Sequence, residues 1–171
     1  MTPQDADVGA CLMIVEAGAG WISRSVDDGV WDASARIVVA QQPDETPAEL
    51  ALRASHRADG IARSRKPLEA GVIVASDSVS DDVFASRCQI AKAMIVAMQG
   101  SEAPRLIFAA PSTLSDTGRH ELLAIAGTLT TQLAGTPVEV FVRFLEPKER
   151  SGTYPAVRPA RPELDREVDV A

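Results

Sequence analysis

Three short apolar runs constrain this chain more than any other feature. Cys11-Leu12-Met13-Ile14-Val15, Gly71-Val72-Ile73-Val74-Ala75 and Leu106-Ile107-Phe108-Ala109-Ala110 contain no polar side chain. Each is too short to be a self-sufficient helix, and none shows the polar alternation of a strand with one wet face. Runs of this kind are strands covered on both faces, which calls for helices packed on a sheet. The whole chain has 171 residues, 46% of them hydrophobic but only 4% aromatic. Its core must therefore be made of small and β-branched side chains, and one domain is the expected count.

Between and beyond these runs the sequence predicts the remaining elements. After Gly18-Ala19-Gly20, the segment Trp21 to Val26 reads as a strand. Asp27-Asp28-Gly29 is a hairpin signal, and a third strand follows from Trp31 to Gln41, centred on Ile37-Val38-Val39. Thr46-Pro47-Ala48-Glu49 is a capping box with proline at the first helical position, and Leu50, Ala54, Ala58 and Ile61 recur behind it at helical spacing. Ser80-Asp81-Asp82 opens a second helix, with Phe84, Cys88, Ala91, Ile95 and Met98 as its expected apolar face. A third helix starts near Ser115 and carries Leu122, Ile125, Ala126, Leu129 and Leu133. Val138, Val140, Val142 and Phe144 then alternate with Glu139 and Arg143, the pattern of an edge strand.

The predicted fold is α/β with a mixed sheet: a three-strand antiparallel meander followed by αβαβαβ, with helices on both faces. A loose N-terminus over residues 1–9, a single domain over 10–146 and a proline-rich charged tail over 147–171 complete the organisation. Four prolines fall from Pro147 to Pro162, and no helical or strand period survives in the tail. It reads as solvated, with Tyr154-Pro155-Ala156-Val157 as the alternative docking segment.

The element order over about residues 10–145 resembles that of ribonuclease-H-like folds. Ligands in open α/β sheets collect beyond the carboxyl ends of the strands. Glu16, Asp77, Ser112 and Asp116 fall there and are the candidate ligand-binding residues. The resemblance implies Mg²⁺ held by Glu16, Asp77 and an acid at a helix start, hence a Mg-dependent phosphoesterase or nuclease. The plainer expectation is that Asp77, Asp81, Asp82 and Asp116 are turn and capping residues. Ser115, Asp116 and His120 lie close together, but no GxSxG elbow exposes a nucleophile there, and they read as a cap and a surface histidine. No phosphate-binding glycine motif occurs.

The net charge of −7 argues against nucleic acid and anionic membranes as partners. Charge is uneven, however: residues 1–45 hold eight acids and two bases, whereas 46–66 hold two acids and five bases. That basic helix, or the tail, is the expected contact with a protein partner. A homodimer is expected through the Val138–Phe144 edge or the face bearing Phe141. Cys11 and Cys88 sit in apolar surroundings and read as reduced thiols, and the N-terminal residues do not look like a secretory signal, so a cytoplasmic location is expected. The functional expectation is a non-enzymatic regulatory or interaction module without a cofactor, with the Mg-dependent enzyme as the second reading.

Overall fold

The computed structural model describes residues 10–22, 35–64 and 66–146. The expected loose N-terminus, the Asp27-Asp28-Gly29 turn and the tail lie outside them. The described elements are β1 (Ala10–Val15), β2 (Ala35–Ala40), α1 (Pro47–Ala62), β3 (Leu68–Val74), α2 (Asp81–Ala97), β4 (Arg105–Pro111), α3 (Asp116–Gln132) and β5 (Glu139–Leu145). The strands form one sheet in the order β2-β1-β3-β4-β5, and every neighbouring pair is parallel.

The antiparallel meander is therefore wrong, and with it the mixed sheet and the ribonuclease-H-like order. Gly20, Trp21 and Ile22 are helical where a second strand was expected. Ile37, Val38 and Val39 pair in parallel with Leu12, Met13 and Ile14. The physical reason lies in β1 itself. Its side chains from Cys11 to Val15 are all buried, and a strand apolar on both faces suits parallel neighbours joined by crossovers.

Right-handed crossovers then fix the layers. The steps from β2 to β3, β3 to β4 and β4 to β5 all run one way across the sheet, so α1, α2 and α3 share one face. Leu12, Ile14, Ile73, Leu106 and Phe108 meet these helices there. The step from β1 to β2 runs the opposite way, and the described residues that begin it lie on the second face. Ala19 and Ile22 indeed pack there, against Cys11, Met13, Val72, Val74 and Ile107.

Local chemistry sets the helix starts. The Thr46 hydroxyl accepts from Glu49 N at 3.1 Å while the Glu49 carboxylate accepts from Thr46 N at 2.9 Å, completing the capping box. Ser80 and Ser115 cap α2 and α3 by accepting from Val83 N and Gly118 N. The buried face of α2 is Val83, Ser86, Arg87, Ile90, Ala91, Met94 and Ala97, rotated by one residue from the expected stripe. Phe84, at 37% exposed, is left at the surface. β3 begins at Leu68, so Gly71 lies inside the strand. A Cβ there would meet Met94 Sδ at 2.6 Å, and glycine lets α2 approach the sheet.

Candidate functional site

The strand order reverses between β1 and β3, which makes the gap beyond their carboxyl ends the place where a sheet of this kind receives a ligand. Glu16 is the first residue past β1, and its N–H donates to Val74 O at 3.0 Å, tying it to the end of β3. Its side chain does not point to solvent. Glu16 Oε2 accepts from Arg87 Nε at 2.6 Å and Oε1 from Arg87 Nη2 at 2.7 Å, a bidentate pair. Glu16 Oε1 also accepts from Ser76 N at 2.8 Å and Ser76 Oγ at 3.0 Å. Arg87 Nη2 reaches the carbonyls of Ser76 and Ser78 as well. Glu16 is 7% exposed and Arg87 1%.

Burying two charges costs several kcal/mol per ion, and only close geometry with further hydrogen bonds offsets that. Both conditions are met here. The joint binds β1, the loop after β3 and α2 into one unit, and it fills the switch point with the chain's own groups. A cation placed on Glu16 would meet the Arg87 guanidinium at hydrogen-bond distance from the same oxygens.

The other expected residues are not gathered around Glu16. Asp77 is exposed, and its Oδ1 accepts from Ser115 N at 3.4 Å, linking the loops after β3 and β4. Asp116 is exposed in the first turn of α3. Ser112 N donates to Leu145 O at 2.7 Å, and Ser112 O accepts from Arg119 Nη2. His56 and His120 are exposed, and Ser115 Oγ serves the cap of α3. Among the described residues no group of three His, Cys, Asp or Glu is placed to hold a metal ion. Cys11 and Cys88 are not bonded to each other, and burial pushes the Cys88 thiol up.

Beside the joint, α1 is clamped to the end of β2. Arg53 Nη2 donates to Ala40 O at 2.7 Å, and both oxygens of Glu45 accept from Arg53 at 2.8 Å. The guanidinium holds the Glu45 carboxyl below its ordinary range. An open depression of about 560 Å³ lies here, lined by Gln42, Asp44, Glu45, Glu49, Leu52 and Arg53.

The opposite end of the sheet contrasts with this. Among the described residues β5 pairs with β4 alone and ends the sheet, as its alternating sequence predicts. Glu139 N donates to Pro104 O, and Leu145 O accepts from Ser112 N. The backbone groups of odd-numbered residues thus face β4, and by alternation those of Val140, Val142 and Phe144 point outward. Every residue from Val140 to Phe144 is half-buried. Arg119 stacks over Phe144 at 4.4 Å and Arg143 over Phe141 at 5.8 Å. Among the described residues Arg143 Nε is buried without a hydrogen-bond partner.

Sequence reasoning missed Arg87, Ser76 and Arg143. Arg87 left a readable signal: it falls in register with Val83, Ile90 and Met94 on one helical stripe, a position where a cation needs a buried acid. The fold and site together define an α/β domain with a five-stranded parallel sheet, whose switch point is closed by an internal ion pair. Comparison with known proteins finds no matching family model, no matching curated protein and no matching solved structure. No described helix is long and apolar enough to cross a membrane.

Proposed function

We propose that this chain is a non-enzymatic interaction module whose recognition element is the outer edge of β5. In the homotypic case the partner is a second copy, the two β5 strands pairing into a continuous sheet. The observation that carries this reading is the row of outward backbone groups at Val140, Val142 and Phe144, flanked by half-buried side chains on both faces of the strand. An uncovered edge is a template for strand addition, with main-chain hydrogen bonds supplying affinity. The saturated joint at Glu16 supports the same reading, because each of its carboxylate oxygens already has a donor.

Light scattering on the full chain at rising concentration tests the proposal. The expected result is a mass climbing from 18.1 kDa toward about twice that value. Val142→Pro removes an outward N–H and should hold the mass at the monomer value, because proline on an edge strand blocks addition without cutting the inner ladder. Equal association of the two proteins would overturn the reading.

A further inference from the structure

The outer edge of β5 can receive an identical edge in only a few ways, and its own side chains discriminate between them. A closed pair of like edges is related by a two-fold axis through the joined sheet, which makes the two β5 strands antiparallel. The outward backbone groups are those of Val140, Val142 and Phe144. Even-numbered residues must therefore stand opposite even-numbered ones, and odd opposite odd. What remains open is the residue on which the axis falls.

Glu139, Phe141 and Arg143 share the side of the sheet away from α1, α2 and α3. In the pair they form the non-hydrogen-bonded positions, where opposed side chains come closest. An axis at Val140 or Phe144 leaves only three residues of each β5 opposed, 139–141 or 143–145. An axis at Arg143 sets two guanidinium groups directly against each other, which is destabilising. An axis at Val142 sets Arg143 against the partner's Phe141. An axis at Phe141 sets the two Phe141 rings opposite one another and each Arg143 directly opposite the partner's Glu139. The overlap then runs from Val138 to Phe144, with Val140 and the partner's Val142 exchanging main-chain bonds.

Arg143 decides between the last two. Its Nε is buried without a hydrogen-bond partner among the described residues. Its neighbour in register on β4 is Ala109, which offers nothing to a guanidinium. A carboxylate in the opposed position satisfies that N–H far better than a ring does. Resting on the reading of β5 as the recognition element, we infer that its partner is a second copy held in one register, with the axis at Phe141 and a Glu139–Arg143 ion pair on either side of it. Glu139 is exposed in the single chain and stands beside Arg105 of β4, so pairing places it between Arg105 and the partner's Arg143. On the helix side, Arg119 stacks over Phe144. Leu123 lies one turn further along α3 on the same flank and is 48% exposed. An apolar side chain thus already stands where the partner's α3 would approach.

Exchange of the two charges tests the register. Glu139→Arg sets like charge against the partner's Arg143, and Arg143→Glu sets like charge against the partner's Glu139. Each variant alone should need at least about tenfold more protein to reach the doubled mass in light scattering, since two attractive pairs become repulsive. An equimolar mixture of the two should associate as wild type does, because every charged pair across the seam is again Arg with Glu. The Glu139→Arg/Arg143→Glu chain should likewise pair with itself. A mixture no stronger than its components would overturn the inference. Cross-linking reads the register without charge variants, in a Cys88→Ala chain whose Cys11 is buried. Under mild oxidation Phe141→Cys should give a disulfide-linked pair, because the axis brings the two positions within bonding reach. Preferential linking through Val142→Cys or Arg143→Cys would move the axis and overturn the register. Association abolished by Val142→Pro yet indifferent to both charge variants keeps β5 as the recognition element and removes this register. Association indifferent to Val142→Pro removes both.

Discussion

Arg87 on α2 and Arg143 on β5 are two arginines packed against one sheet, and their surroundings differ in nearly every respect. Arg87 is 1% exposed and bidentate to Glu16, with two carbonyls as further acceptors. Arg143 stacks loosely on Phe141, and its buried Nε has no partner among the described residues. The first belongs to a joint at the centre of the sheet, where three segments meet. The second lies on β5, which has one neighbouring strand among the described residues. The difference separates an internally satisfied joint from a strand with one described neighbour, and mutations can test it directly.

The largest effect should come from Arg87→Met. It leaves the Glu16 carboxylate buried without its counter-ion, at a cost of about 3–5 kcal/mol in denaturant titration. Removing both charges with Glu16→Gln/Arg87→Met should recover much of that loss. A single substitution costing under about 1 kcal/mol would mean that water reaches the joint. Next, Ile107→Ala in the second layer should cost about 2–5 kcal/mol, because Ile107 is 1% exposed in mid-sheet. Val142→Ala on β5 should cost clearly less. Equal losses would show that the edge is as tightly packed as the centre.

A smaller effect is tied to pH. Glu45 is held below its ordinary range by Arg53, so the clamp's stabilisation is complete above the usual carboxylate range and is lost as pH falls through the lowered value. Arg53 is 44% exposed, and solvent screening limits the contribution to a few tenths of a kcal/mol. Comparing wild type with Arg53→Gln across an acid titration should show the gap closing at low pH. The smallest effect belongs to Arg143→Met, within about 0.5 kcal/mol of wild type in thermal melts. A loss comparable to that of Arg87→Met would erase the distinction between joint and edge.

Much of the layer architecture was legible in residues. The runs beginning at Cys11, Gly71 and Leu106 are β1, β3 and β4, and the caps at Thr46, Ser80 and Ser115 start the three helices. The alternation from Val138 marked β5 as an edge. The opening was misread because Asp27-Asp28-Gly29 is a local signal, whereas the direction of β2 is fixed by what buries β1. Glu16 was singled out at the right place in the fold but given the wrong partner. Its partner lies 71 residues away on α2, and the reading of that helix followed Phe84 and Cys88 past the arginine. The Arg143 orphan depends on side-chain geometry that no spacing rule reports.

The same separation bears on how the chain is made. β1 is central, flanked by β2 and β3, and Glu16 cannot be neutralised until Arg87 exists. At a synthesis rate of roughly 5–20 residues per second, the intervening residues take about 4–14 seconds to add. For most of that interval β1 lacks its second neighbour β3, and throughout it Glu16 lacks its counter-ion. The nascent chain must keep Cys11 to Val15 from pairing elsewhere, and slowing translation between β1 and α2 should raise the fraction that aggregates.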